Sequence, residues 1–270
     1  MTLCSLPSGG QETTGMPENL ALITGASSGI GEAFARELAR RQFPLILVAR
    51  RVDRLKALQS ALASVRVDIL VADLASEEGV AAVAQRLGLG GISLLVNNAG
   101  VGYRGPVLDQ PDPNISQLVR VNLEAPMRLS RVALRPMIEQ KRGAIINVVS
   151  MGAFQPVPYL NVYAATKAGL LSFTEALADE VSGTGVRIQA VCPGNIPTEF
   201  QDVAGTKGSR FDGTPSMPAD IVAKRSLDAA LRAGPTIHIP GAMDKLSVFA
   251  QRFLPRSVAR KVAGGLIKPD

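Results

Sequence analysis

Leu20-Ala-Leu-Ile-Thr24-Gly25-Ala-Ser27-Ser28-Gly29-Ile30-Gly31-Glu-Ala-Phe34 changes periodicity once, at Thr24. Asn19–Thr24 is a near-continuous apolar run, the pattern of a strand buried on both faces. Past the glycines, Ile30, Ala33, Phe34 and Leu38 recur at helical spacing and predict a helix over Ile30–Arg41. Between the two lies a loop of glycine and serine. Glycine admits positive φ and close approach of a ligand to the backbone. The N-terminus of the helix that follows offers unpaired N–H groups and positive potential to a phosphate. A turn that merely needs small residues would look similar in isolation. Placed after the first strand of an α/β series, the loop reads as a dinucleotide site.

That series continues along the chain. Apolar runs recur at Pro44–Ala49, Val65–Ala72, Ser93–Asn97, Ala144–Ser150, Val186–Cys192 and Thr236–Pro240, separated by helical patterns such as Leu55/Leu58/Leu62. Strand–helix alternation implies a parallel sheet with right-handed crossovers. The expected fold is therefore α/β and doubly wound, a Rossmann-type sheet of about seven strands with helices on both faces. At 270 residues, one such domain over 19–270 accounts for the whole chain. Hydrophobic content of 46% against 19% charged residues excludes a disordered chain.

Three strand ends carry candidate cofactor contacts. In NAD-binding sheets the second strand ends on a carboxylate for the ribose 2′-hydroxyl. Here Ala49 stands there, followed by Arg50 and Arg51. Guanidinium groups suit a 2′-phosphate, so NADP(H) is expected over NAD(H), although these arginines could instead cap the surface or pair with Asp53. Asp73, before Leu74, is placed to accept from an adenine amino group. Asn97-Asn98-Ala99-Gly100 ends the fourth run with residues that tolerate αL geometry and close backbone contact.

The segment Ser150–Lys167 carries candidate chemistry. Tyr163 and Lys167 are spaced i,i+4 and share a helix face with Leu170, Thr174, Leu177 and Val181. A phenol ionises near pH 10, and a neighbouring ammonium is expected to lower that value toward general acid–base use. Ser150 sits at a strand end, where α/β sheets meet ligands. Upstream, the helical pattern Ile115–Glu139 holds Pro126 four residues after Asn122. The proline leaves the Asn122 carbonyl without a helical donor, predicting a kink there and an oxygen open to water.

Taken together, these residues resemble the short-chain dehydrogenase/reductases, from about Leu20 to Gly241. The match comprises Thr24-Gly25-x3-Gly29-x-Gly31, Asn97-Asn98-Ala99-Gly100, Asn122, Ser150 thirteen residues before Tyr163, Tyr163-x3-Lys167, and Pro193-Gly194 with Thr198. The resemblance implies that Tyr163 exchanges the proton and that Lys167 tunes it and holds the nicotinamide ribose. Ser150 polarises the carbonyl, and Asn122 anchors a water linking Lys167 to solvent. Hydride passes directly between the nicotinamide and a small-molecule carbonyl or secondary alcohol, with no metal. Gly25, Ser27, Ser28, Gly29, Ile30, Gly31, Arg50, Arg51, Asp73, Leu74, Asn98, Ala99, Gly100, Pro193, Gly194, Ile196 and Thr198 would line the cofactor. Met151, where a small residue is common, and Asn195-Ile196-Pro197 depart mildly from the pattern. The family also suggests a homodimer or homotetramer. A 3-oxoacyl-thioester reductase of fatty-acid or polyketide type, whose acidic carrier could use a basic tail, is the alternative within enzymes. A non-catalytic NADP-binding sensor is the alternative outside them.

Other stretches bear on partners. Residues 196–218, rich in glycine and proline, suggest a mobile substrate lid. Between Ala242 and Asp270, six basic residues face two acids and supply +4 of the net +6. There Leu246, Phe249, Phe253, Leu254, Val258 and Val262, broken by Pro255, predict two short amphipathic helices. They could roof the pocket, dock on a neighbouring subunit or lie on an anionic membrane. Packing onto the protein is the commoner use of such faces. No basic–aromatic cluster points to nucleic acid. Residues 1–18 lack a signal-peptide pattern and read as a flexible extension. The lone His238 suggests a structural residue. Cys4 and Cys192 form no metal or disulfide framework, which suits a reducing cytoplasm.

Overall fold

The computed structural model describes residues 19–232 and 234–269, so the N-terminal stretch 1–18 lies outside the described residues. Seven strands form one sheet: β1 (Leu20–Thr24), β2 (Leu45–Ala49), β3 (Val67–Val71), β4 (Ile92–Asn97), β5 (Gly143–Val148), β6 (Val186–Val191) and β7 (Ile237–His238). All pairings are parallel and the order is β3-β2-β1-β4-β5-β6-β7. Each apolar run of the sequence thus yields a strand. The order reverses between β1 and β4, which opens a crevice beyond their carboxyl ends.

Helices α1 (Gly29–Arg40), α2 (Val52–Ala61) and α8 (Ala219–Leu231) cover one face. Phe34, Leu38, Leu55 and Leu227 pack there against Ile23, Leu47 and Val96. On the other face lie α3 (Glu77–Gly88), α5 (Ala125–Glu139) and α6 (Asn161–Glu180), which bury Val83, Leu129 and Leu177 against Leu22, Leu95 and Ile145. Alternate residues of each strand therefore serve the two cores, so an apolar run was needed rather than alternation. The edge strand β3 departs from this expectation. Asp68 and Val71 are exposed, because β3 is the edge of the sheet and pairs only with β2.

The helical pattern 115–139 is three pieces. α4 (Asp112–Val119) runs into a π-helical turn, Arg120–Glu124, and then into α5. The Ala125 N–H bonds back to the Arg120 carbonyl, five residues away. Pro126 has no N–H to offer the Asn122 carbonyl, so the kink expected there takes the form of a widened turn.

Residues 196–218 contain α7 (Glu199–Ala204), which ends on Gly205 at φ +71°. The remainder is gathered around one buried amide. Asn195 Nδ2 faces the carbonyls of Phe211, Asp212 and Thr214 at 3.1–3.3 Å. The two amphipathic helices form as α9 (Ala242–Gln251) and α10 (Arg256–Ile267), separated at Pro255. Ala263 and Ile267 of α10 pack on Val157, Leu160 and Ala164. Arg104 binds the Ile267 and Lys268 carbonyls at 2.6 Å each, a cation at the helix C-terminus where the dipole favours one.

Candidate active site

The crevice beyond the strands is a cavity of about 620 Å³. Its floor is built by strand ends and helix starts. Gly25 adopts φ +67°, and a Cβ there would stand 2.8 Å from the Ala99 Cα, so both the conformation and the space demand glycine. Asn98 Nδ2 bonds the Thr24 carbonyl at 3.0 Å and the Gly25 carbonyl at 3.2 Å, while the Thr24 hydroxyl accepts from the Asn98 and Ala99 N–H groups. The glycine loop and the Asn97–Gly100 stretch are thereby clamped together. Ser28 is the N-cap of α1 but its side chain makes no capping bond, leaving the helix N–H groups facing the cavity.

At the end of β2 the two arginines separate. Arg51 reaches over the glycine loop, donating to the Ser27 hydroxyl at 3.0 Å and the Ser28 hydroxyl at 2.8 Å. Its other terminal nitrogen bonds Glu199 at 2.9 Å, and Arg54 binds the same carboxylate. Those two guanidinium groups, Arg54 first, hold Glu199 below the usual carboxylate range. Arg50 lies instead 3.9 Å from Asp73, and neither arginine pairs with Asp53. Asp73 itself accepts from the Ala75 N–H.

At the other end stand the polar groups of β5 and α6. The Ser150 hydroxyl contacts the Tyr163 phenol and accepts from the Gly152 N–H at 3.1 Å. Lys167 is 3% exposed, with Nζ 2.8 Å from the Val148 carbonyl and 5.8 Å from the centre of the Tyr163 ring. Burial dominates both groups. It pushes Tyr163 up to about 12, with the Ser150 bond opposing only in part, and pulls Lys167 down to about 8. This corrects the expectation that Lys167 lowers the Tyr163 pKa. Desolvation of the phenol is the largest effect on its pKa, and it acts in the opposite direction.

The structure brings Gly25, Ser27, Ser28, Gly29, Ile30, Arg50, Arg51, Asp73, Leu74, Asn98, Ala99, Gly100, Ser150, Tyr163, Lys167, Pro193, Gly194, Ile196 and Thr198 to the walls of one cavity. Gly31 and Asn122 sit behind them. A Cβ on Gly31 would strike the Gly25 carbonyl and Asn98. Asn122 is fully buried in the π turn, where its amide exchanges 2.9 Å bonds with both the N–H and the C=O of Val101. Its side chain therefore braces the loop after β4, and its carbonyl is the one Pro126 leaves without a helical donor.

Several residues at the site escaped the sequence reading. Asp244, on α9, accepts from the Gly194 N–H and ties that helix to the Pro193–Gly194 turn. Phe200 lies against Tyr163 with ring centroids 5.5 Å apart. Beneath the floor, Asn97 Nδ2 bonds Asn147 Oδ1 at 2.9 Å and Ser130 at 3.1 Å, while Asn147 bonds Thr174 at 3.0 Å. An asparagine inside the run Ala144-Ile-Ile-Asn-Val-Val was the visible signal, since a buried amide needs partners. His238 is half-buried with Nε2 unpaired, and burial lowers its pKa. Cys192 is a buried free thiol pushed up to about 12, too high for a thiolate role.

The chain has known counterparts. The family model for short chain dehydrogenase matches residues 19–207. Nodulation protein G of Rhizobium sp. (strain N33) is 34% identical over 235 residues, covering 83% of this chain and 96% of its own. A Bos taurus very-long-chain 3-oxoacyl-CoA reductase is 34% identical over 190 residues, 68% of this chain and 61% of its own. Among solved structures, a short-chain dehydrogenase from Sphingobium yanoikuyae in complex with NADPH superposes with a TM-score of 0.78 at 34% identity, covering 87% of this chain and 94% of that one.

Proposed function

The chain belongs to the short chain dehydrogenase family and is an oxidoreductase of that kind, and we propose that it is an NADP(H)-dependent reductase of a carbonyl compound, or dehydrogenase of the corresponding secondary alcohol. The observation that carries this reading is the meeting of Ser150, Tyr163 and Lys167 at one end of a cavity whose other end holds Arg51 over the glycine loop. The residues present fit a dinucleotide. The glycine loop gives the backbone access that a pyrophosphate needs, and Ala49 puts no carboxylate against a 2′-phosphate. The NADPH-bound relative supports the same choice.

When bound, the cofactor supplies the hydride. The chain's own groups do the rest. The Ser150 hydroxyl holds the carbonyl oxygen by a hydrogen bond. Tyr163, kept protonated by burial, gives its phenolic proton to that oxygen, and recovers one in the reverse direction. Lys167 holds positive charge near the phenol and the cofactor ribose, and its Val148 bond fixes the ammonium. The Asn122 carbonyl is the acceptor for a water leading to Lys167. The segment 196–218 acts as the substrate lid, with Phe200 closing on Tyr163.

The bovine relative favours a second reading, a 3-oxoacyl-thioester substrate. Apolar walls from Leu160, Phe211, Ala263 and Leu266 suit an acyl chain in either case. We place the protein in the cytoplasm as a homodimer or homotetramer, in keeping with its two cysteines, too few for a disulfide framework, and with its family. The test is titration of the purified protein with NADPH and NADH, wild type beside Arg51→Ala, followed by turnover with wild type and Tyr163→Phe on ketones and 3-oxoacyl thioesters. NADPH preference lost in Arg51→Ala, with turnover lost and binding kept in Tyr163→Phe, supports the reading. Equal affinity for the two cofactors overturns the NADP(H) assignment. Unchanged turnover in Tyr163→Phe overturns the catalytic one.

A further inference from the structure

The outward side of α9 is apolar where a surface helix should be polar. Val248 faces the protein, with Asp244 and Gln251 on the same side, and it is the helix's one fully buried residue. Leu246 and Phe249 emerge on the opposite side, with Phe253 just past the end of the helix, 58–74% exposed. Leu254, Val258 and Val262 continue the apolar surface onto α10 at 42–58% exposure. A contiguous exposed patch of this kind marks an interaction surface.

Charge identifies the occupant. Lys245, Arg252, Arg256, Arg260, Lys261 and Lys268 are all exposed along these two helices. The single described acid of the segment, Asp244, is turned inward onto the Gly194 N–H and contributes no outward negative charge. Between the helices lies a second cavity of about 290 Å³, lined by Arg252 and Arg256 on one hand and by Val248, Leu254, Ala259 and Phe154 on the other. Gln251 also lines it, and its Oε1 is buried without a partner. Two cations beside an apolar slot suit a phosphate with acyl chains attached. A second copy of this face would set six cations against six, so charge disfavours self-pairing.

We propose that the α9–α10 surface docks the protein on an anionic phospholipid membrane. Phe249, Phe253 and Leu254 enter the acyl boundary, and Arg252 and Arg256 hold lipid phosphates. The docking proposed is peripheral; among the described residues no helix is long and apolar enough to cross a membrane. Met243, Ser247 and Gln251 of α9 and Leu266 of α10 line the main cavity, so the docked surface adjoins the site.

The test is sedimentation of the full-length protein with vesicles of phosphatidylcholine alone, and of phosphatidylcholine mixed equally with phosphatidylglycerol. Expected is binding to the mixed vesicles only, weakening as salt is raised. Phe249→Glu/Phe253→Glu and Arg252→Glu/Arg256→Glu should each reduce that binding by about tenfold or more. Circular dichroism and NADPH affinity should stay unchanged. The proposal is overturned by absence of binding to the mixed vesicles, by binding that neither double variant weakens, or by light scattering that shows a dimer dissolved by Phe249→Glu/Phe253→Glu. Vesicle binding and light scattering are read without substrate or cofactor, so their outcome stands apart from which of these the site takes.

Discussion

Arg51 Nη1 lies 2.9 Å from Glu199 Oε2, across 148 residues of sequence, so the guanidinium poised over the glycine loop is shared with a carboxylate of α7. A 2′-phosphate bound as proposed would compete with Glu199 for the same cation. Glu199→Gln removes the competitor and should tighten NADPH a few-fold, roughly fivefold at most for a solvent-screened pair. NADH, lacking the phosphate, should change little. Fluorescence titration of both cofactors checks this, and an equal gain for NADH would show that Glu199 acts on the lid rather than on the phosphate.

Tyr163→Phe keeps the ring that packs on Phe200 and loses the proton. Turnover should fall by roughly 10²–10⁴, the usual worth of a positioned general acid. The NADPH dissociation constant should stay within about twofold, which separates a chemical role from a structural one.

Lys167 has its pKa pulled from 10.5 to about 8 by burial. At about 1.4 kcal/mol per pH unit, that corresponds to a cost of about 3 kcal/mol at neutral pH. The sign follows from linkage: below about pH 8 both states hold the proton and the cost is full. As pH rises through 8 the folded state releases its proton first, so stability recovers toward pH 10. Lys167→Met should therefore raise the urea midpoint at pH 7, and its advantage over wild type should shrink by pH 9, while turnover is lost. An advantage that is equal at both pH values would show that Lys167 is not the titrating group.

Asn195→Ala strips a donor from the Phe211, Asp212 and Thr214 carbonyls together. Unpaired buried carbonyls cost about 1–3 kcal/mol in all. Urea unfolding should register that loss. Limited proteolysis within 205–216 should speed up, and cofactor should slow it less than in wild type.

The sheet was legible because a doubly wound fold needs two-sided strands, and Leu20–Thr24 or Ile145–Val148 can bury themselves in no other way. The glycine loop and the Tyr163–Lys167 pair were legible because local geometry alone places them. The Arg51–Glu199 and Asp244–Gly194 contacts were not, since each joins segments that meet only after the chain has folded. The sign of the Tyr163 shift was also hidden. Spacing reveals a neighbouring ammonium, but desolvation is a property of the whole surrounding wall, and here desolvation is the larger effect.

The π turn at Arg120–Glu124 carries one residue more than an α turn of the same rise, so α4 and α5 are out of phase by about 100° relative to one continuous helix. Deleting one residue between 119 and 125 would heal the turn into a straight rod. It would also swing either Leu118 or Leu129 out of its core and carry Asn122 away from Val101. The extra residue thus acts as a phase shifter, letting one amphipathic stretch bury both Leu118 and Leu129 while presenting a polar side chain at the seam. Length variation in this stretch should be the least tolerated of any helical segment in the chain, whereas point substitutions on its solvent side, such as Glu124, should pass almost unnoticed.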